Sequence, residues 1–88
     1  MNDDAFEWDE TKAAKNFAAH GVCFESARDV FKDPFSIEWR DDRKPYGEDR
    51  FVTIGMVEGR LLYVAYTMRG DVIRIISARG AEPYEKRR

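Results

Sequence analysis

Along the first third of the chain the apolar positions recur at helical spacing, and along the rest they alternate. Ala13, Ala14, Phe17 and Ala18 form a narrow stripe within Glu10 to His20, a run of helix formers. Asp9 stands before that run as an N-cap, and Gly21 follows it as a C-terminal cap. Phe24, Ala27, Val30 and Phe31 repeat the spacing and predict a second helix over 24–32. Asp33-Pro34 stops it, because the residue before proline is pushed out of the α region. The period then drops to two. Strands are predicted over Phe35 to Arg40, Arg50 to Val57, Arg60 to Thr67 and Val72 to Ala78, with a charged loop from Asp41 to Asp49. Glu58-Gly59 reads as a two-residue hairpin turn, and a second turn is centred on Arg69-Gly70. Pro83 opens a short C-terminal helix reaching towards Arg88.

This order predicts an α+β fold: two N-terminal helices packed on a four-stranded antiparallel sheet, with a short C-terminal helix. Hairpin register assigns the faces. Val52, Ile54, Met56, Leu61, Tyr63, Ala65, Val72, Arg74 and Ile76 share the more continuously apolar face, expected to meet the helices. The other face carries Phe51, Thr53, Gly55, Leu62, Val64, Tyr66, Ile73, Ile75, Ser77 and Arg79, and is expected to be the half-open working face.

The chain has 88 residues, 43% of them hydrophobic, which leaves room for one core and hence one domain. A chain this short buries only about 60–65% of its unfolded surface, so a partner that covers apolar area is expected. No apolar run approaches the roughly 20 residues of a membrane span. Met1-Asn2-Asp3-Asp4 lacks the charge and apolar core of a signal peptide, so a cytoplasmic location is expected. Cys23 and His20 are the single cysteine and histidine, which excludes an internal disulfide, a cysteine-cluster zinc site and a His-rich metal centre. Neither a metal nor a cofactor is expected.

A net charge of −2 conceals an asymmetry. Residues 1–50 hold 13 acids and 8 bases, whereas residues 51–88 hold 4 acids and 7 bases. Six of those 7 bases are arginines: Arg60, Arg69, Arg74, Arg79, Arg87 and Arg88. Guanidinium forks match phosphate oxygens, so the field that matters is local.

Arg74, inside Val72-Ile73-Arg74-Ile75-Ile76, must be paired or point away from dry core. With Arg69 and Arg79 it forms either a solvated, salt-bridged surface or a site that holds a phosphodiester and its transition-state charge. Tyr66 is either a core aromatic or a ring on which a base stacks. Glu48 is either a general base or the counter-charge that orients arginines. The second role is favoured, because a salt-bridged carboxylate is a poor base. His20 suits a helix C-cap better than acid–base work. Asp41-Asp42 is weak evidence for a cation site.

The chain also resembles a known family. Phe6-Glu7-Trp8-Asp9, Lys12, Asn16, His20-Gly21-Val22, Phe24-Glu25, Val30-Phe31 and Asp33-Pro34 resemble the opening of BrnT-type toxins. Tyr46-Gly47-Glu48, Arg50, Ile54-Gly55, Gly59-Arg60, Tyr66-Thr67, Arg69-Gly70 and Arg74-Ile75-Ile76-Ser77-Ala78-Arg79 continue the likeness to Arg79. The resemblance implies a RelE-like fold and a metal-independent ribonuclease of a type II toxin–antitoxin module that arrests translation. It implies a BrnA-type, DNA-binding antitoxin as partner, a heterotetrameric complex, RNA as substrate, and operator DNA reached only through the antitoxin. By matching motifs, it puts the site at Glu48, Tyr66, Arg69, Arg74 and Arg79. His20 and Tyr84 are secondary candidates, Tyr84 standing in for a tyrosine that related chains carry near a longer, basic C-terminal helix. The expected chemistry is attack of the RNA 2′-hydroxyl on the adjacent phosphate. The alternatives are a binding module that uses the same arginines without cutting, and a degenerate toxin kept as its antitoxin's co-repressor.

Overall fold

The computed structural model describes residues 5–86. The acidic Met1 to Asp4 and the terminal Arg87 and Arg88 lie outside the described residues. The elements run β1 (Phe6–Glu7), α1 (Glu10–His20), α2 (Phe24–Ala27), a 3₁₀ helix (Arg28–Lys32), β2 (Ile37–Arg40), β3 (Phe51–Val57), β4 (Arg60–Arg69), β5 (Val72–Gly80) and α3 (Pro83–Lys86).

Local chemistry sets the first helix. Asp9 Oδ1 accepts from the N–H groups of Thr11 at 2.8 Å and Lys12 at 3.2 Å. Gly21 adopts φ 70° and returns its N–H to Phe17 O at 2.8 Å. The predicted second helix is in fact two pieces, a single α turn and then a 3₁₀ helix. The cause lies in the spacing: Phe24, Ala27 and Val30 fall three residues apart and are all fully buried. A period of three matches a 3₁₀ turn.

Five strands form one mixed sheet in the order β1-β5-β4-β3-β2, correcting the four-stranded antiparallel expectation. The extra strand is β1, which pairs in parallel with β5 through Phe6↔Ile73 and Glu7↔Arg74. Two residues carry no alternating pattern, and their pairing is non-local, so sequence periodicity does not register them. The first hairpin forms as expected on Glu58-Gly59, both at positive φ (50° and 80°), the geometry of a type I′ turn. The second turns one residue later, with Arg69 opposite Val72.

The helices and the main core cluster lie on the face opposite to the one expected, although Val52 and Ile54 on the expected face are fully buried too. Leu62, Val64, Ile75 and Ala78 pack with Trp8, Val22, Phe24, Ala27 and Val30. A β-bulge completes the correction. Tyr66 pairs with Ile75 and Ala65 with Ser77, so Ile76 is an extra residue on β5. Beyond it the alternation flips. Ala78 turns into the core, while Ser77 and Arg79 join Tyr63 and Ala65 on the face away from the helices. The apolar stripe of α1 differs too, with Phe17 56% exposed and Asn16 the buried residue. Gly55 lets the 3₁₀ helix approach the sheet, since a Cβ there would lie 2.8 Å from Val30 Cγ2.

Candidate nucleic-acid interface

The open face begins with the loop between β2 and β3. Asp41 organises that loop. It is 7% exposed, and its N–H donates to Arg50 O at 2.7 Å. Its carboxylate accepts from Arg43 Nε and Nη2, both at 2.8 Å, and from Tyr46 O–H at 2.9 Å. These donors hold the Asp41 carboxyl well below the usual carboxylate range. Arg50 folds back so that its guanidinium lies 4.2 Å from the centre of the Tyr46 ring.

β4 and β5 complete the surface. Register places Tyr63 opposite Arg79, and the Arg79 guanidinium stacks on the Tyr63 ring at 3.9 Å. Arg43 Nη2 reaches Tyr63 Oη at 3.4 Å. A cleft of about 400 Å³ runs among His20, Arg43, Lys44, Arg50, Tyr63 and Arg79. A second cleft, of about 570 Å³, is lined by Trp39, Arg43, Tyr63 and Tyr84 among others. The first gathers cations from two segments far apart in sequence around the one histidine, an arrangement that can seat an anion beside a proton carrier.

The residues expected to form the site are dispersed. Arg79 and His20 line the cationic cleft, and Tyr84 lines its neighbour. Glu48 lies between Arg50 Nε at 3.5 Å and Arg69 Nη2 at 4.0 Å, the position of a counter-charge. Arg74 is held by Glu7 of β1 at 2.6 Å. Tyr66 is on the helix face, 6% exposed, edge-on to Phe31 and stacked on Phe51. Its hydroxyl donates to Glu38 at 2.6 Å, and burial pushes its pKa upward. Arg43, Lys44, Tyr46, Arg50 and Tyr63 were not legible as site residues. In the loop, the neighbouring acids Asp41, Asp42, Glu48 and Asp49 mask the cation pattern, and Tyr63 meets Arg79 only because of the bulge.

Among the described residues no three His, Cys, Asp or Glu side chains converge as metal ligands. Nor is any helix among them long and apolar enough to cross a membrane. Residues 8–85 match the family profile described as the ribonuclease toxin BrnT of type II toxin–antitoxin systems. No curated protein matches the chain.

Proposed function

Because the chain belongs to the BrnT family of type II toxin–antitoxin ribonuclease toxins, we propose that its open sheet face cleaves RNA without a metal. The observation that carries this reading is the cationic cleft that joins Arg43, Lys44, Arg50 and Arg79 to His20. In the reaction, the RNA 2′-oxygen attacks the adjacent phosphorus, its proton passes to a base, and the 5′-oxygen leaves with a proton. The products are a 2′,3′-cyclic phosphate and a 5′-hydroxyl. Arg43 and Arg79 hold the phosphoryl oxygens and the charge that builds on them. His20 is the base, because it lines the cleft, whereas Glu48 sits among Arg50 and Arg69.

Cutting messenger RNA inhibits translation. A BrnA-type antitoxin neutralises the toxin and carries the complex to its operator, in a heterotetramer. The decisive experiment is product-end analysis of RNA incubated with the protein in excess EDTA. New 5′-hydroxyl ends are expected, and they disappear in Arg79→Ala. His20→Ala slows cleavage by about 10²–10⁴-fold, the usual contribution of an acid–base group. Loss of cutting in EDTA overturns the metal-free route. RNA binding with no new ends in the unmodified protein favours the non-catalytic module instead.

A further inference from the structure

The open face carries a contact that the reaction above does not use. Arg79 meets Glu85 through two parallel hydrogen bonds, Nη1 to Oε1 at 2.9 Å and Nη2 to Oε2 at 2.8 Å. Two carboxylate oxygens on one guanidinium fork take the positions that two phosphate oxygens would take. Glu85 is carried by α3, a four-residue helix with no buried residue. Its Oε1 also accepts from the Glu82 N–H at 2.9 Å, so the turn closes on its own carboxylate.

Arg79 does not need Glu85 in order to be aimed. Its guanidinium already lies on the Tyr63 ring at 3.9 Å, and Nη1 donates to Gly80 O at 3.1 Å. What Glu85 adds is a negative charge on the cation, which opposes the arrival of another anion. The Arg43–Asp41 pair is different in kind, because Asp41 is tied into the sheet by its own backbone and by Tyr46.

We propose that Glu85 is an internal stand-in for the substrate phosphate, and that α3 must release Arg79 before RNA can be held there. The inference rests on the reading of Arg79 as a phosphate contact. RNA binding and α3 docking are then competing states of one arginine, and anything that draws α3 away favours substrate.

The test measures the affinity of the full chain for a 2′-O-methyl oligoribonucleotide, which binds but cannot be cut, by fluorescence anisotropy. Glu85→Gln and Glu85→Ala are expected to bind about three- to tenfold tighter than the parent, as removal of a charge-assisted competitor implies. In the Arg79→Ala background the same substitutions give no gain, as a double-mutant cycle requires. Single-turnover cleavage by Glu85→Gln gains through KM and keeps kcat. Equal or weaker binding by both Glu85 variants, with Arg79→Ala still weakened, overturns the stand-in role and leaves Arg79 as a phosphate contact. Parent-like binding by Arg79→Ala overturns the phosphate contact itself, and the stand-in role with it. A gain that persists without Arg79 also overturns it, because Glu85 then acts as a general repulsive charge.

Discussion

Replacing Asn16 with alanine removes one side chain and disconnects two elements. Asn16 Nδ2 donates to Val22 O at 3.0 Å and to Ala78 O at 2.8 Å, and its Oδ1 accepts from the Ala78 N–H at 3.1 Å. The side chain is 8% exposed, so water does not replace it freely. Each lost hydrogen bond is worth about 1 kcal/mol, and a buried backbone group left unpaired costs about 1–3 kcal/mol. The total for Asn16→Ala is about 3 kcal/mol, since Ala78 loses partners on both its N–H and its C=O. Unfolding entropy of about 2.1 cal/mol/K per residue, applied to 88 residues, converts this to a fall of about 15 °C in Tm. Thermal and urea unfolding followed by circular dichroism measure it. A fall of less than about 5 °C, or roughly 1 kcal/mol, refutes the reasoning. Asn16→Asp is worse near neutral pH, because it keeps an acceptor and turns a carboxylate towards two carbonyls. Burial raises the folded pKa of the new carboxyl, so this variant regains stability as pH falls through that value. Function should suffer as well. Asn16 grips β5 beside Arg79, and His20 follows one helical turn later, so Asn16→Ala cuts RNA more slowly even where it is fully folded.

Gly55→Ala forces a Cβ to within 2.8 Å of Val30 Cγ2 and 3.1 Å of Ser36 Cβ. Overpacking of this kind costs about 1–3 kcal/mol, so the urea midpoint falls with an unchanged m-value, and an unmoved midpoint contradicts the close approach. Tyr66→Phe loses the hydrogen bond to Glu38 and about 1 kcal/mol of stability, yet leaves the rate of RNA cleavage unchanged; a loss of cleavage in a folded variant would return Tyr66 to the reaction. The carboxyls of Asp41 and Glu85 are depressed by their arginines, Glu85 to about 2. Their stabilisation is therefore full above the unfolded carboxyl pKa of about 4 and lost as pH falls through the folded values. Tm should be level above about pH 5 and decline below about pH 4, with a shallower decline in Asp41→Asn. An identical decline in that variant refutes the assignment.

Elements that depend on short-range chemistry were legible in the sequence. Asp9 and Gly21 bound α1 where their side chain and φ require, and Glu58-Gly59 sets the first hairpin. Legibility ends where a non-local partner decides. β1 becomes a strand only because β5 offers a free edge, and its Glu7 then neutralises Arg74. α1 turns its polar Asn16 inward because backbone groups of Val22 and Ala78 await it, which leaves Phe17 outside. Hydrophobic periodicity has no means of ranking three buried hydrogen bonds above one phenylalanine ring.

The candidate site shows the same limit in sharper form, because one residue decides it. Without the bulge at Ile76, alternation places Arg79 opposite Leu62 on the helix-covered face that Tyr66 shares. With it, Arg79 lies on Tyr63 across the sheet from the core. The extra residue separates Ile75 and Ala78, both buried, from Ser77 and Arg79, both on the open face. The placement of Arg79 on the open face therefore depends on a feature that costs one unpaired residue in the sheet. The charge pattern follows the same logic. Arg69, Arg74 and Arg79 do not form an uncompensated basic patch, since Arg74 holds Glu7, Arg69 lies near Glu48, and Arg79 holds Glu85. Glu48 also touches a cleft arginine, Arg50 at 3.5 Å, but of these three carboxylates only that of Glu85 grips a cleft arginine through two parallel hydrogen bonds, from a one-turn helix with no buried residue. The net charge of −2 thus says little against RNA binding. Affinity for phosphate is set by how readily one carboxylate leaves one guanidinium, a local exchange that leaves the net charge of the chain unchanged.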